Sequence, residues 1–293
     1  MISYNPKTWF EFLFRFHKSD TLRTLLPVIF GMCLYSAAVA YLEIEYWKLS
    51  DNHHLKNITI MHSVLSFVIS MLLVFRTNTA YERWWEGRKL WGSLVNTSRN
   101  LAVKMSVILP KTDETNRAFF TAIIPQYAVA LKNHLQLEST RLALDEKEHP
   151  EFNTIRYSKH VPNQLHQLAF KKINDLYMGG RITADQYRNL NPEVQAFADI
   201  CGACERIKNT PIPYSYSAFI KKFIFFYVIT MPLGYVFSLG YFTIPVVGFI
   251  FYVLASLEII AEEIEDPFGT DENDLPLRKI CDNIEKHVKE ILE

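Results

Sequence analysis

Three groups of residues have types and spacings that could carry chemistry. Cys201 and Cys204, in the stretch CGAC, have the separation of a dithiol redox pair. That chemistry needs a strand running into a helix, whereas the flanking sequence reads helical on both sides, so small residues packing between helices is the expected role. Glu258, Glu262, Glu263 and Glu265 place carboxylates at i and i+4, a spacing that can serve a di-iron centre. No Glu-x-x-His motif accompanies them, and solvated or salt-bridged helix faces are expected instead. The stretch EDPFGTDENDLPL sets several carboxylates on a turn, where they can supply some of the 6–8 oxygens that calcium takes. The plainer alternative is an Asp-Pro turn with solvated acids. There is no His-Glu-x-x-His, no phosphate-cradling glycine loop, and the nine histidines are scattered.

The elements that position these residues are set by where charge is excluded. Leu25–Leu42, Ile58–Phe75, Phe223–Leu239 and Tyr241–Ala261 each approach the ~20 apolar residues needed to cross a hydrocarbon core. The first follows Trp9, Arg15, His17, Lys18 and Arg23, and no small-residue cleavage site follows it, so a cleaved signal peptide is not expected. An integral membrane protein with four membrane helices is expected. Arg15, Lys18 and Arg23 precede the first span, Arg76, Arg83, Arg88 and Lys89 follow the second, and Lys221 and Lys222 precede the third. The loop EIEYWKLSDNHHLKN carries only Lys48 and Lys56. The excess of positive charge on one side predicts both termini and the middle of the chain in the cytoplasm. The cysteines are then expected to be reduced, three on the cytoplasmic side and Cys33 within a span. Zero net charge gives no reason to expect nucleic acid as a partner.

Four segments follow: 1–75, the N-terminal segment and first two membrane helices; 76–222, a cytoplasmic helical region; 223–261, the third and fourth membrane helices; and 262–293, a cytoplasmic C-terminal segment. Helix breaks are predicted at Pro110, in the charged loop after Arg141, and at Gly179–Gly180. Thr183 and Gln186 have capping-box spacing, so a helix should begin at Ala184, with Pro192 kinking or splitting it. NTPIPYSY should redirect the chain into the third span, and the region of Gly240 should turn a tight hairpin between the last two. The second and fourth spans leave the apolar phase without a stop signal. In VLSFVISMLLVFRTNTAYERWWEGRKLWG no proline or glycine occurs before Gly87, so one helix should run from lipid into water. His62, near the outer end of that helix, is expected at the interface, or else at a pore entrance.

Three stretches, FRTNTAYERWWEGRKLWGSLVNTSRNLA, GACERIKNTPIPYSY and EEIEDPFGTDENDLPL, resemble the bestrophin family, especially its bacterial members, in the same order and across nearly the whole chain. The resemblance implies an all-α homopentameric ion channel, not an enzyme, with four membrane helices per subunit and a helical cytoplasmic region around one central pore. Its partners are then other copies of itself, the lipid bilayer and permeating monovalent ions. Eukaryotic members are calcium-activated anion channels and characterised bacterial relatives favour monovalent cations, so a cation-preferring channel is expected, with an anion (chloride) channel of the same fold as the alternative. A membrane-anchored redox or metal enzyme is a more distant one. The family's hydrophobic neck matches Phe67, Met71 and Phe75. Residues at i, i+4 and i+8 drift by only about 80° around a helix and so share a face, which lipid or core packing would also use. The cytoplasmic aperture matches Asp185, or Gln186 or Tyr187 after a shift of one or two residues. Asp185 alternatively serves the helix start, where a carboxylate meets the positive end of the dipole. The eukaryotic calcium clasp matches Asp266, Asp271 and Asp274. No cofactor is required, and calcium is the one metal the resemblance raises.

Overall fold

A computed structural model describes residues 21–49, 54–137 and 150–293 of the chain. Arg15 and Lys18, and residues 141–149 of the charged loop, lie outside the described residues. Every element within them is helical: α1 (Thr21–Tyr41, continued by a π-helical turn to Tyr46), α2 (Ile58–Ile108), α3 (Glu114–Leu135), α4 (Val161–Met178), α5 (Ala184–Asn209), α6 (Tyr214–Thr230), α7 (Pro232–Leu239), α8 (Thr243–Glu265) and α9 (Leu277–Leu292). Contacts divide the chain into two compact units, changing at Arg83/Trp84, Thr210/Pro211 and Glu265/Asp266.

The first unit holds α1, the start of α2, and α6 to α8. The segments Thr21–Tyr46, His54–Ile108 and Tyr214–Glu265 are long and apolar enough to cross a membrane. The four apolar stretches of the sequence fall within them. The third differs from a single helix. Pro232 has no N–H to give the preceding turn, so α6 ends at Thr230, Met231 bonds Val228 at 3.2 Å, and α7 starts afresh. Gly240, at φ +53, then makes the turn into α8 that a residue with a Cβ would resist. α8 packs on α1, α6 and α7. At Gly248 an added Cβ would lie 2.7 Å from the Cys33 sulfur, so two small residues let α1 and α8 approach. Leu25, Met32, Ile69, Leu73, Ile220, Val228 and Val247 form the unit's core.

The second unit holds α2 from Trp84 onward, α3, α4, α5 and α9. Its core includes Trp91, Leu94, Leu101, Phe119, Phe120, Leu131, Leu165 and Ile284. α2 crosses Gly87 because that glycine accommodates the turn after α8: a Cβ there would meet Pro267 at 3.0 Å and Phe268 at 3.1 Å. Arg117, nearly buried, donates to the carbonyls of Ser106, Leu109 and Leu292, closing the ends of α2 and α9 whose last carbonyls lack helical partners. Gly180, at φ +65, ends α4 as expected, with Arg181 N–H reaching back to Leu176 O at 2.9 Å. The capping box at Thr183 and Gln186 forms in both directions and α5 starts at Ala184. Pro192 lies within α5 and does not split it, because the buried face of Leu190, Val194, Phe197 and Cys201 holds the helix on both sides.

Candidate functional site

α2 is one 51-residue helix, as the missing stop signal predicts. Within its apolar part the buried residues are His62, Ile69, Leu73, Arg76 and Ala80, which at ~100° per residue fall within about 60° of one another. Phe67, Met71 and Phe75 centre about 180° from that stripe and are 72%, 49% and 54% exposed in the single subunit. Ser66 and Ser70 donate to carbonyls of their own helix at 2.7 Å, so their hydroxyls are satisfied without water or a partner helix. The row is thus apolar, outward-facing and built on a helix whose other side is fixed.

What fixes it is polar, and the sequence gives no sign of it. Arg76, 1% exposed, directs Nη1 to Glu265 Oε2 at 2.8 Å and Nε to Glu258 Oε1 at 3.4 Å. Glu265 also accepts from the Ile212 amide at 2.6 Å, and its carbonyl accepts from Arg83 Nε at 3.0 Å. Of the expected solvated or salt-bridged glutamates, Glu262 is paired with Lys221 at 2.8 Å on the surface and Glu258 is salt-bridged while only 3% exposed. His62 is a correction. It is fully buried, with Nδ1 at 3.0 Å from Ile58 O and Nε2 at 3.1 Å from Tyr227 O and 3.0 Å from Thr230 Oγ1. It meets the Tyr227 and Tyr235 rings edge-on, so it ties α2 to α6 and faces neither an interface nor an entrance.

Asp185 lies in the first turn of α5 with its side chain 87% exposed and Arg188 Nη1 3.6 Å from its Oδ1. Of the two shifted alternatives, Gln186 is spent in the capping box and Tyr187 stacks on Tyr177 at 5.0 Å. Asp185 is the one of the three whose side chain projects from its own unit.

The acidic turn does not assemble the three carboxylates predicted for calcium. Asp266 is ion-paired with Lys208, whose ammonium supplies the positive charge a cation would bring. Asp274 is 2% exposed and folds back on its own turn, where Oδ2 accepts from the Asp271 amide at 2.6 Å. Gly269 is required there, since a Cβ would lie 2.6 Å from that oxygen. Burial pushes the Asp274 carboxyl up to about 6. Oδ1 of Asp266 and of Asp274 are buried without partners, which a cation could use, but the Lys208 pair and the inward fold of Asp274 make this a poor calcium set. The arrangement is a closed turn, tied down by Trp84 Nε1 to Asn273 O and Gln136 Nε2 to Gly269 O.

Cys201 and Cys204 lie on one face of α5, buried and unbonded to each other. Burial pushes the Cys201 thiol up to about 12 and raises that of Cys204 as well, the reverse of a reactive dithiol. Close by in sequence, Glu205 accepts from Nε2 of both His134 and His160 at 2.7 Å. Burial raises the Glu205 carboxyl, but these bonds outweigh it and leave the group below its ordinary value. Sequence reasoning missed this set because its members come from three helices and share no motif.

Known proteins match this chain along its length. Residues 1–290 match the family described as Bacterial/Fungal Bestrophin protein. The Voltage-dependent anion channel-forming protein sll1024 of Synechocystis is 34% identical over 99% of this chain and 94% of its own, and its counterpart alr2987 of Nostoc is 36% identical over 79% and 77%. A crystal structure of a bacterial bestrophin homologue from Klebsiella pneumoniae superposes with TM-score 0.79 at 28% identity, covering 92% of this chain and all of that one. With helical elements of membrane-spanning length and no catalytic constellation required by the match, the chain belongs to the bacterial and fungal bestrophin family, a family of channels and not of enzymes.

Proposed function

We propose that the protein is an anion channel: a homopentamer in the inner membrane, each subunit crossing four times with both termini in the cytoplasm, passing monovalent anions through a central pore. The observation that carries the pore is the outward row Phe67, Met71 and Phe75 on the face of α2 opposite its buried stripe. Five such rows around an axis make a hydrophobic neck, which bars ions until it widens because they would shed water against groups that offer no hydrogen bonds.

The choice of ion departs from the cation preference expected from sequence. Relatives covering nearly the whole chain are named voltage-dependent anion channel-forming proteins. The charges support the same choice. Five carboxylates that could draw cations stand beside a basic group: Glu258 and Glu265 share Arg76, Asp185 has Arg188, Glu262 has Lys221 and Asp266 has Lys208. At the cytoplasmic aperture, Asp185 with Arg188 is a mixed ring and not an acidic one. Purified protein in liposomes under a potassium chloride gradient tests this: chloride replacement by a large impermeant anion should abolish the current, and persistence of the current would refute it.

A further inference from the structure

The channel reading leaves one convergent set of ligand-type side chains unused. His134 in the last turn of α3, His160 at the start of α4 and Glu205 in α5 belong to one compact unit. Nε2 of each histidine stands 2.7 Å from the same oxygen, Glu205 Oε1, and the two rings are 4.3 Å apart between centroids. All three ligand atoms lie within 4.8 Å of one another, and among the described residues no other group of three or more His, Cys, Asp and Glu does so. We propose that His134, His160 and Glu205 form a site for a divalent transition metal of the zinc class, apart from the pore.

Two imidazoles and one carboxylate are the donor set of many zinc centres, and nitrogen donors select against calcium and magnesium. Zinc bonds of about 2.0–2.1 Å at tetrahedral angles put ligand atoms roughly 3.3 Å apart, so the present 2.7 Å contacts need to open by about 0.6 Å. The three side chains are 33%, 29% and 29% exposed, which leaves an ion able to enter and its remaining position open to water. One feature opposes the metal. His160 Nδ1 accepts the Asn163 amide at 3.1 Å and caps α4, so in the metal-free protein its proton sits on Nε2. A metal at Nε2 displaces that proton, and the neutral ring then carries it on Nδ1, facing the Asn163 amide. Loading therefore exchanges one helix cap for the bonds of an ion that joins three helices.

The test uses the full-length protein in detergent, stripped with chelator, desalted, and titrated with zinc chloride near neutral pH. Bound metal is read by equilibrium dialysis with elemental analysis, and stability by thermal melting. The expected result is one saturable zinc per subunit and a zinc-dependent rise in melting temperature. His134→Gln keeps an N–H donor toward Glu205 and His160→Asn keeps a cap acceptor for Asn163. Each should weaken zinc at least tenfold while the metal-free protein melts near the wild-type temperature. Should one of them fail to fold, Glu205→Gln takes its place. Absence of a saturable zinc in the wild type, or wild-type affinity in both folded variants, would overturn the proposal. The outcome is independent of which ion the pore passes, so either reading can fail alone.

Discussion

Replacing Arg76 by methionine keeps the length of the side chain and removes the charge that two glutamates share. Arg76 and Glu258 are almost wholly excluded from solvent and Glu265 is 13% exposed, so the variant leaves carboxylates without their cation in a place where water cannot substitute. Breaking a buried pair from one side costs about 3–5 kcal/mol, most of it for the stranded partner. The Ile212 amide still holds one oxygen of Glu265, which leaves Glu258 as the more exposed to that penalty and favours the lower half of the range. At roughly 2–4 °C per kcal/mol for a chain of this size, R76M should melt about 6–16 °C below wild type. The double variant R76M/E258Q removes the stranded charge and should recover a substantial part of the loss. Melting in detergent, followed by far-ultraviolet circular dichroism for the four proteins of the cycle, measures both. If R76M and R76M/E258Q lose the same amount, the two side chains are not coupled and the network does not hold α2 to α8.

Three further outcomes are expected. Phe75→Ala and Met71→Ala, singly or together, should raise single-channel conductance or open probability in planar bilayers, and unaltered currents in a folded double variant would remove these residues from the neck. Arg188→Gln should shift reversal potentials toward cations and Asp185→Asn toward anions, whereas equal potentials in all three proteins would place the pair away from the permeation path. For Asp274, burial holds the folded-state carboxyl near 6 against an ordinary 3.8, so the folded chain binds the extra proton and stability falls as pH rises through that window. Asp274→Asn should therefore stabilise the protein above about pH 6, by up to ~3 kcal/mol, and change little below about pH 4, as read by melting across pH.

Local rules account for what could be read in advance. The unbroken α2, the Thr183–Gln186 capping box, the Gly180 helix end and the proline-dense turn before α6 each depend on neighbours within a few residues. The periodicity of α2 likewise puts Phe67, Met71 and Phe75 on one face without reference to the rest of the fold. What could not be read depends on distant partners. Arg76 meets Glu258 from 182 residues away, His62 is closed in by α6, and Glu205 gathers His134 and His160 from two other helices. The expected cation preference rested on the resemblance, and the sequence did not tell that Asp185 stands beside Arg188 and Asp266 beside Lys208. Pro192 shows the converse, a local breaker overruled by a continuous buried face.

Anion selectivity of the proposed pore is tested most directly by the reversal potential of purified protein in a planar bilayer under a potassium chloride gradient. The expected potential lies near the chloride equilibrium value; a potential near the potassium value would refute an anion-selective pore.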